Sequence, residues 1–120
     1  MLKALTCALV ICVSLVSASV AAETTISSIL ATPAQFDGKS VTVRGIAAAV
    51  KSTVSRRGNP YMTFQLQDGG SAIMVYTRGH PTMSSGDRVE VIGIFQTVKH
   101  VGPYTFYNEI EAQGITPTSR

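Results

Sequence analysis

The sequence runs to 120 residues, with 10 Lys and Arg against 7 Asp and Glu, a net charge of +3, two cysteines and no tryptophan. That length suits one domain core, and so mild a basic bias excludes the dense Lys/Arg block of a strong polyanion binder. Both cysteines, Cys7 and Cys12, lie near the start, which excludes a disulfide framework or a thiolate metal site from the rest.

Met1–Lys3 provides a positive start, "ALTCALVICVSLV" an apolar run, and Val20 and Ala22 occupy the −3 and −1 positions before Glu23. This layout predicts a secretory signal peptide over residues 1–22, whose apolar run is short for a membrane span. An uncleaved anchor is the alternative. Neither cysteine sits in a lipoprotein pattern. Cleavage would leave roughly 98 residues, enough to bury about 60–70% of the unfolded surface. That product carries a charge of about +2 once Lys3 is gone, has no stable membrane span, and belongs in the periplasm or outside the cell.

Residues 23–37 read as a short helix and linker. Thr24 or Thr25 caps it, Ile26, Ile29 and Leu30 share a face, and Pro33 and Asp37–Gly38 close it. From Lys39 the period changes to two. "SVTVRGIAAAV" alternates through Val41 and Val43, with Gly45 marking a bulge or bend. "STVSRRGNP" reads as a polar loop. "YMTFQLQ" puts Met62, Phe64 and Leu66 on one face and Tyr61, Thr63 and Gln65 on the other. After the "DGG" turn, "SAIMVYT" points Ile73 and Val75 inward and Ala72, Met74 and Tyr76 outward.

"RGHPTMSSGD" lacks the periodicity of more than a helical turn. "RVEVIGIF" is a fourth strand with an internal Gly93, and "QTVKHVGP" reads as a loop. "YTFYNEIEAQGI" is the fifth strand, with Phe106, Asn108 and Ile110 on one side and Tyr107, Glu109 and Glu111 on the other. Five short antiparallel strands with glycine bends predict an all-β fold, a five-stranded closed barrel over residues 38–116 with a polar tail at 117–120. An immunoglobulin-like sandwich would need about seven strands.

In order and spacing, "FDGKSVTVRGIAAAV", "YMTFQLQDGGSAIMVY", "GDRVEVIGIF" and "YTFYNEIEA" resemble the nucleic-acid-binding, anticodon-binding-like OB-fold, as in small exported bacterial OB proteins. The likeness covers residues 38–115. It implies a binding surface on the outer face of the second and third of the five strands, flanked by the loops joining strands one to two and four to five. On that surface fall Tyr61, Thr63, Gln65, Met74 and Tyr76, with Lys51, Arg56 and Arg57 in the first flanking loop. Lys99 and His100 fall in the second, and Tyr104 at the edge of the last strand. Rings beside cations suit a single-stranded nucleic acid, whose bases stack and whose phosphates pair with Lys and Arg. The same tyrosines also suit any half-exposed sheet. Many relatives carry a helix where "RGHPTMSSGD" stands, so the N-terminal helix is expected to plug the barrel instead.

The resemblance leaves the ligand open between a single-stranded nucleic acid and an oligosaccharide. The alternative is a stress-type exported OB protein that meets a protein partner or a small cationic ligand. His100 and Tyr104 also share the His-x-x-x-Tyr spacing of the haem-attachment motif of the periplasmic haem chaperone, but with a strand after it and Gly102–Pro103 inside it. Coincidence in a loop is the expectation. His80 and His100 lie far apart, and no nucleophile elbow or phosphate loop is present. A monomer without cofactor, metal or catalysis is therefore expected.

Overall fold

The computed structural model describes residues 22–118; the expected signal peptide therefore lies outside the described residues except for Ala22. Its elements are β1 (Ala22–Glu23), α1 (Ile26–Ala31), α2 (Pro33–Phe36), β2 (Ser40–Val54), β3 (Pro60–Asp68), β4 (Ser71–Arg78), β5 (Arg88–Val101) and β6 (Tyr104–Pro117). Among the described residues no helix is long and apolar enough to cross a membrane.

Helix α1 forms where the sequence predicts. Thr25 Oγ1 accepts a hydrogen bond from the Ser28 amide at 3.2 Å, supplying the cap that a free helix start needs. Pro33 starts a second short helix where a stop was expected, because proline costs nothing in a first turn whose N–H groups are unpaired anyway. Ile26 and Ile29 are fully buried in the core. Each such side chain contributes about 1.5–3 kcal/mol. They pack on the same core as β3 and β4, and the connection Gly79–Asp87 forms neither helix nor strand.

The sheet has six strands, one more than predicted, and is mixed where an antiparallel one was expected. β1 adds to β2 in parallel, and β4 pairs with β6 in parallel through Met74–Tyr76 and Glu109–Glu111. The order runs β1-β2-β3-β4-β6-β5, and β5 returns to pair with β2. That return pairing leaves no room for two separate sheets, which disposes of the sandwich. Besides β1, β2 serves two long neighbours in succession: residues Ser40–Ile46 pair with β5, and Ile46–Val54 pair with β3.

Gly45 and Gly93 mark where backbones come closest. A Cβ on Gly45 would lie 2.5 Å from the Gln67 carbonyl oxygen, and one on Gly93 would lie 2.3 Å from that of Glu111. The β5–β6 register shifts beside Gly93, the glycine read as a bend in that strand. In β2 the partner changes at Ile46, next to Gly45, and the bulge falls between Ala48 and Lys51, where Ala49 has φ 53. Its neighbours' backbone groups bond to the Ser84–Asp87 loop: Val50 N–H to Ser85 Oγ at 3.1 Å and Gly86 N–H to Ala47 O at 2.7 Å.

The alternation in β2, β3 and β4 holds. Val41, Val43, Met62, Phe64, Leu66, Ile73 and Val75 are all buried, joined by Val89, Val91, Phe95 and Ile110 from β5 and β6. Both predicted loops are shorter than expected. β2 continues to Val54, leaving Ser55–Asn59, and β5 continues to Val101, leaving only Gly102–Pro103. Gly102 at φ 58 followed by proline has the residue order of a type II′ hairpin turn, so polar residues on either side stay paired as strand.

Beyond Phe95 the β5–β6 hairpin becomes an arm with a break at its root. The Thr97 amide and hydroxyl both donate to Asp37 Oδ1, at 2.8 and 3.0 Å, and the cross-strand ladder skips the Thr97–Asn108 pair. Asn108 has φ 51, a left-handed conformation asparagine tolerates. This overturns the predicted faces of the last strand. Phe106 and Glu109 both reach Lys99, so they share a side, while Ile110 points into the core.

Candidate binding face

Tyr61, Thr63 and Gln65 on β3 and Met74 and Tyr76 on β4 lie opposite the buried residues of their strands, on one outer face. Tyr61 stands across from Arg78, and Thr63 across from Tyr76, so the two tyrosines are diagonal neighbours. Their ring centroids are 5.3 Å apart at 28°, an offset stack. Lys51 on β2 stands across from Thr63 and is exposed.

The arm supplies a second set of groups. Lys99 Nζ lies 4.1 Å from the Tyr76 ring centroid and 5.8 Å from that of Phe106, and Phe106 is 6.5 Å from Tyr104. Four rings thus run across the face from Tyr61 to Tyr104, with an ammonium between the barrel pair and the arm pair. Tyr76 is flanked by Tyr61 and Lys99 and is half-buried, whereas Tyr104 is 61% and Phe106 41% exposed.

Charge on the face is less than the sequence promised. Lys99 was expected in a loop as a phosphate contact. It sits instead within β5, largely buried, with Nζ 2.6 Å from Glu109 Oε1. His100 is also on β5; its Nδ1 is 3.1 Å from Thr105 Oγ1, and its neighbouring position turns it to the other side of the hairpin from Lys99. The alternation likewise separates His100 from Tyr104, whose partner is Val101, so the His-x-x-x-Tyr pair does not converge. Arg56 and Arg57 occupy the exposed Ser55–Asn59 turn, and neither forms an ion pair with a described residue.

Two residues of the face escaped the sequence reading. Arg78 carries an 83% exposed side chain, held only at 3.6 Å by Glu111. With Ser55, Asn59, Pro60, Tyr76 and Gly79 it lines a shallow hollow of about 540 Å³. Its position two residues beyond Tyr76 was a usable signal. Phe106 carried none, because its side depends on the break at Asn108.

At the other end of the barrel, Arg44 is held by Glu23 at 3.3 Å and Glu90 at 2.9 Å, beside a hollow of about 320 Å³ that Asp68 also lines. There the one arginine of the hollow is already paired with two carboxylates. Among the described residues no group of three His, Cys, Asp or Glu could hold a metal ion. Asp37, at the arm's root, has its carboxyl held below the usual aspartate range, first by the Thr97 amide and then by the Thr97 hydroxyl.

No protein-family model matches the sequence, and no curated protein matches it. Solved structures do resemble the fold. A chain of yeast Stn1 and Ten1 superposes with a TM-score of 0.67 at 13% identity, covering 84% of this chain and 64% of that one. A putative aspartyl-tRNA synthetase from Leishmania major Friedlin gives 0.61 at 13% identity, covering 81% and 20%. The aspartyl-tRNA synthetase of Entamoeba histolytica gives 0.60 at 20% identity, covering 81% and 21%. The chain thus spans under two thirds of the first neighbour's length and about a fifth of each synthetase. The shared architecture is the OB-fold.

Proposed function

We propose that this chain is an exported module that binds single-stranded nucleic acid across the outer face of β3 and β4 and the facing side of the arm. The observation that carries the reading is the Tyr61–Tyr76 stack beside Arg78, with Lys51, Arg56 and Arg57 at its margin. Rings accept bases of any identity at about 1–3 kcal/mol each, and the arginines supply the phosphate contacts. OB-fold neighbours, among them two aspartyl-tRNA synthetases, add support at the level of fold alone. Tyr61, Phe106 and Tyr104 are the stacking rings; Tyr76, flanked on both sides, supports them. Glu109 does not oppose binding, because Lys99 neutralises it.

Oligonucleotide binding measured against salt tests the proposal. Engagement of three or four cations gives a log–log slope of roughly −2 to −3, at about −0.7 per phosphate contact on single strands. A flat response would point to an uncharged oligosaccharide, and no binding at low salt would defeat the reading. A protein partner is the second reading, favoured by Val98 and Tyr107, a register pair 44% and 68% exposed on the arm's far side. A partner seated there would leave the Tyr61 face untouched.

A further inference from the structure

The Lys99–Glu109 pair sits between the arm's Phe106 and the barrel's Tyr76. The two side chains are only 14% and 4% exposed. The contact at 2.6 Å is ionic and off hydrogen-bond alignment, so Glu109 Oε1 lacks an aligned donor; Gln96 Oε1, across the ladder from it, lacks one too. Taking both charges out of water is unfavourable, and apolar side chains of similar size would often serve stability as well or better. What the pair does supply is position. Glu109 fixes the ammonium, and the ammonium attracts the electron-rich faces of a barrel ring and an arm ring at once, 4.1 Å from Tyr76 and 5.8 Å from Phe106. The break at Thr97 and Asn108, by turning Phe106 and Lys99 to the side of Glu109, makes the arrangement possible.

We infer that Lys99 is a positioning residue: held by Glu109, it fastens the arm's Phe106 to the barrel's Tyr76 and sets the spacing of the ring wall, and it does not contact phosphate. A phosphate would have to displace Glu109 from a largely buried ammonium, whereas Arg56 and Arg57 in the turn before Tyr61, and Arg78 across from Tyr61, stand exposed. The consequence for binding rests on the nucleic-acid reading. The fastening itself is a property of the free protein.

The test uses the full chain with Lys99→Arg and the double variant Lys99→Met/Glu109→Gln, since Lys99→Met alone strands a buried carboxylate. Ring-proton shifts of Tyr76 and Phe106, and near-ultraviolet circular dichroism from tyrosines in a chain without tryptophan, report on the free protein. Binding of oligo(dT) at several salt concentrations reports on the face. In the double variant the ring signals move towards free-residue values and affinity falls about tenfold, the order of one lost stacking contact, with the salt slope unchanged. Lys99→Arg retains the ring signals and most of the affinity. Unchanged ring signals in the double variant overturn the inference, as does a salt slope shallower by about 0.7, the mark of one lost phosphate contact. Should the native protein bind no oligonucleotide, the nucleic-acid reading fails by itself; the ring signals then still decide, their loss in the double variant supporting the fastening and their persistence overturning it.

Discussion

Hairpin β3–β4 keeps one register from Tyr61–Arg78 to Asp68–Ser71, closes through Gly69–Gly70, and sends every second side chain into the core. Hairpin β5–β6 starts the same way but shifts register at Gly93 and loses a ladder pair at Thr97–Asn108. The first is a regular wall whose faces follow from alternation. The second is a wall whose tip is re-aimed, because one amide bonds to Asp37 and one asparagine turns left-handed. Local pairing builds the ring pair Tyr61–Tyr76; a long-range hydrogen bond and a buried ion pair bring Phe106 and Tyr104 to meet it.

The strongest way to break this contrast is at Gly93. Gly93→Ala drives a Cβ to 2.3 Å from the Glu111 oxygen and 2.8 Å from the Ala112 Cα, both backbone. A loss of about 3–5 kcal/mol or outright failure to fold is expected in urea denaturation. Gly114→Ala, on the same hairpin with nothing within 4 Å, is the matched control and leaves stability nearly unchanged.

Next comes the buried pair. Lys99→Met leaves the buried Glu109 carboxyl without its partner, at a cost of about 3–5 kcal/mol, while Lys99→Met/Glu109→Gln recovers most of that loss. A double-mutant cycle by chemical denaturation measures the difference. Additive losses would mean that the two side chains are not coupled.

On the β3–β4 wall the expected effects are smaller and separate binding from stability. Tyr61→Ala weakens oligonucleotide binding by about 1–3 kcal/mol, one stacked base. Thermal unfolding of that variant changes little. Tyr76→Ala lowers both affinity and stability, because its ring lies between Tyr61 and Lys99. Equal behaviour of the two variants would erase the distinction between a contact ring and a supporting one.

The smallest effect concerns the arm's root and is read by pH. The Asp37 carboxyl is more acidic folded than unfolded, so its contribution is present above the ordinary aspartate range and is lost as pH falls through the folded value. Asp37→Ala removes that acid-side decline and frays the Thr97 amide in hydrogen exchange. A variant whose stability against pH parallels the native protein's would remove Asp37 from the account.

How far the sequence could be read follows the same division. Strict alternation and a Gly-Gly turn made β3 and β4 legible, and with them Tyr61 and Tyr76 on one outer face. The OB-like spacing led to the right neighbours in fold. The arm was not legible, because the side chosen by Phe106 depends on a hydrogen bond between Asp37 and Thr97, sixty positions apart. Lys99 looked like a loop cation for the same reason. Its partner Glu109 lies ten positions on, across a turn that was expected to be a longer loop. The parallel β4–β6 pairing likewise depends on closure, which no local run of residues encodes.

The most direct measurement is a chemical-shift map of the full chain against a short single-stranded oligonucleotide at low salt. The account predicts perturbation on β3 and β4 around Tyr61, Thr63 and Arg78 together with Phe106 and Tyr104 on the arm, and none around Arg44, Glu23 and Glu90. Shifts confined to the Arg44 end, or none anywhere, would contradict it.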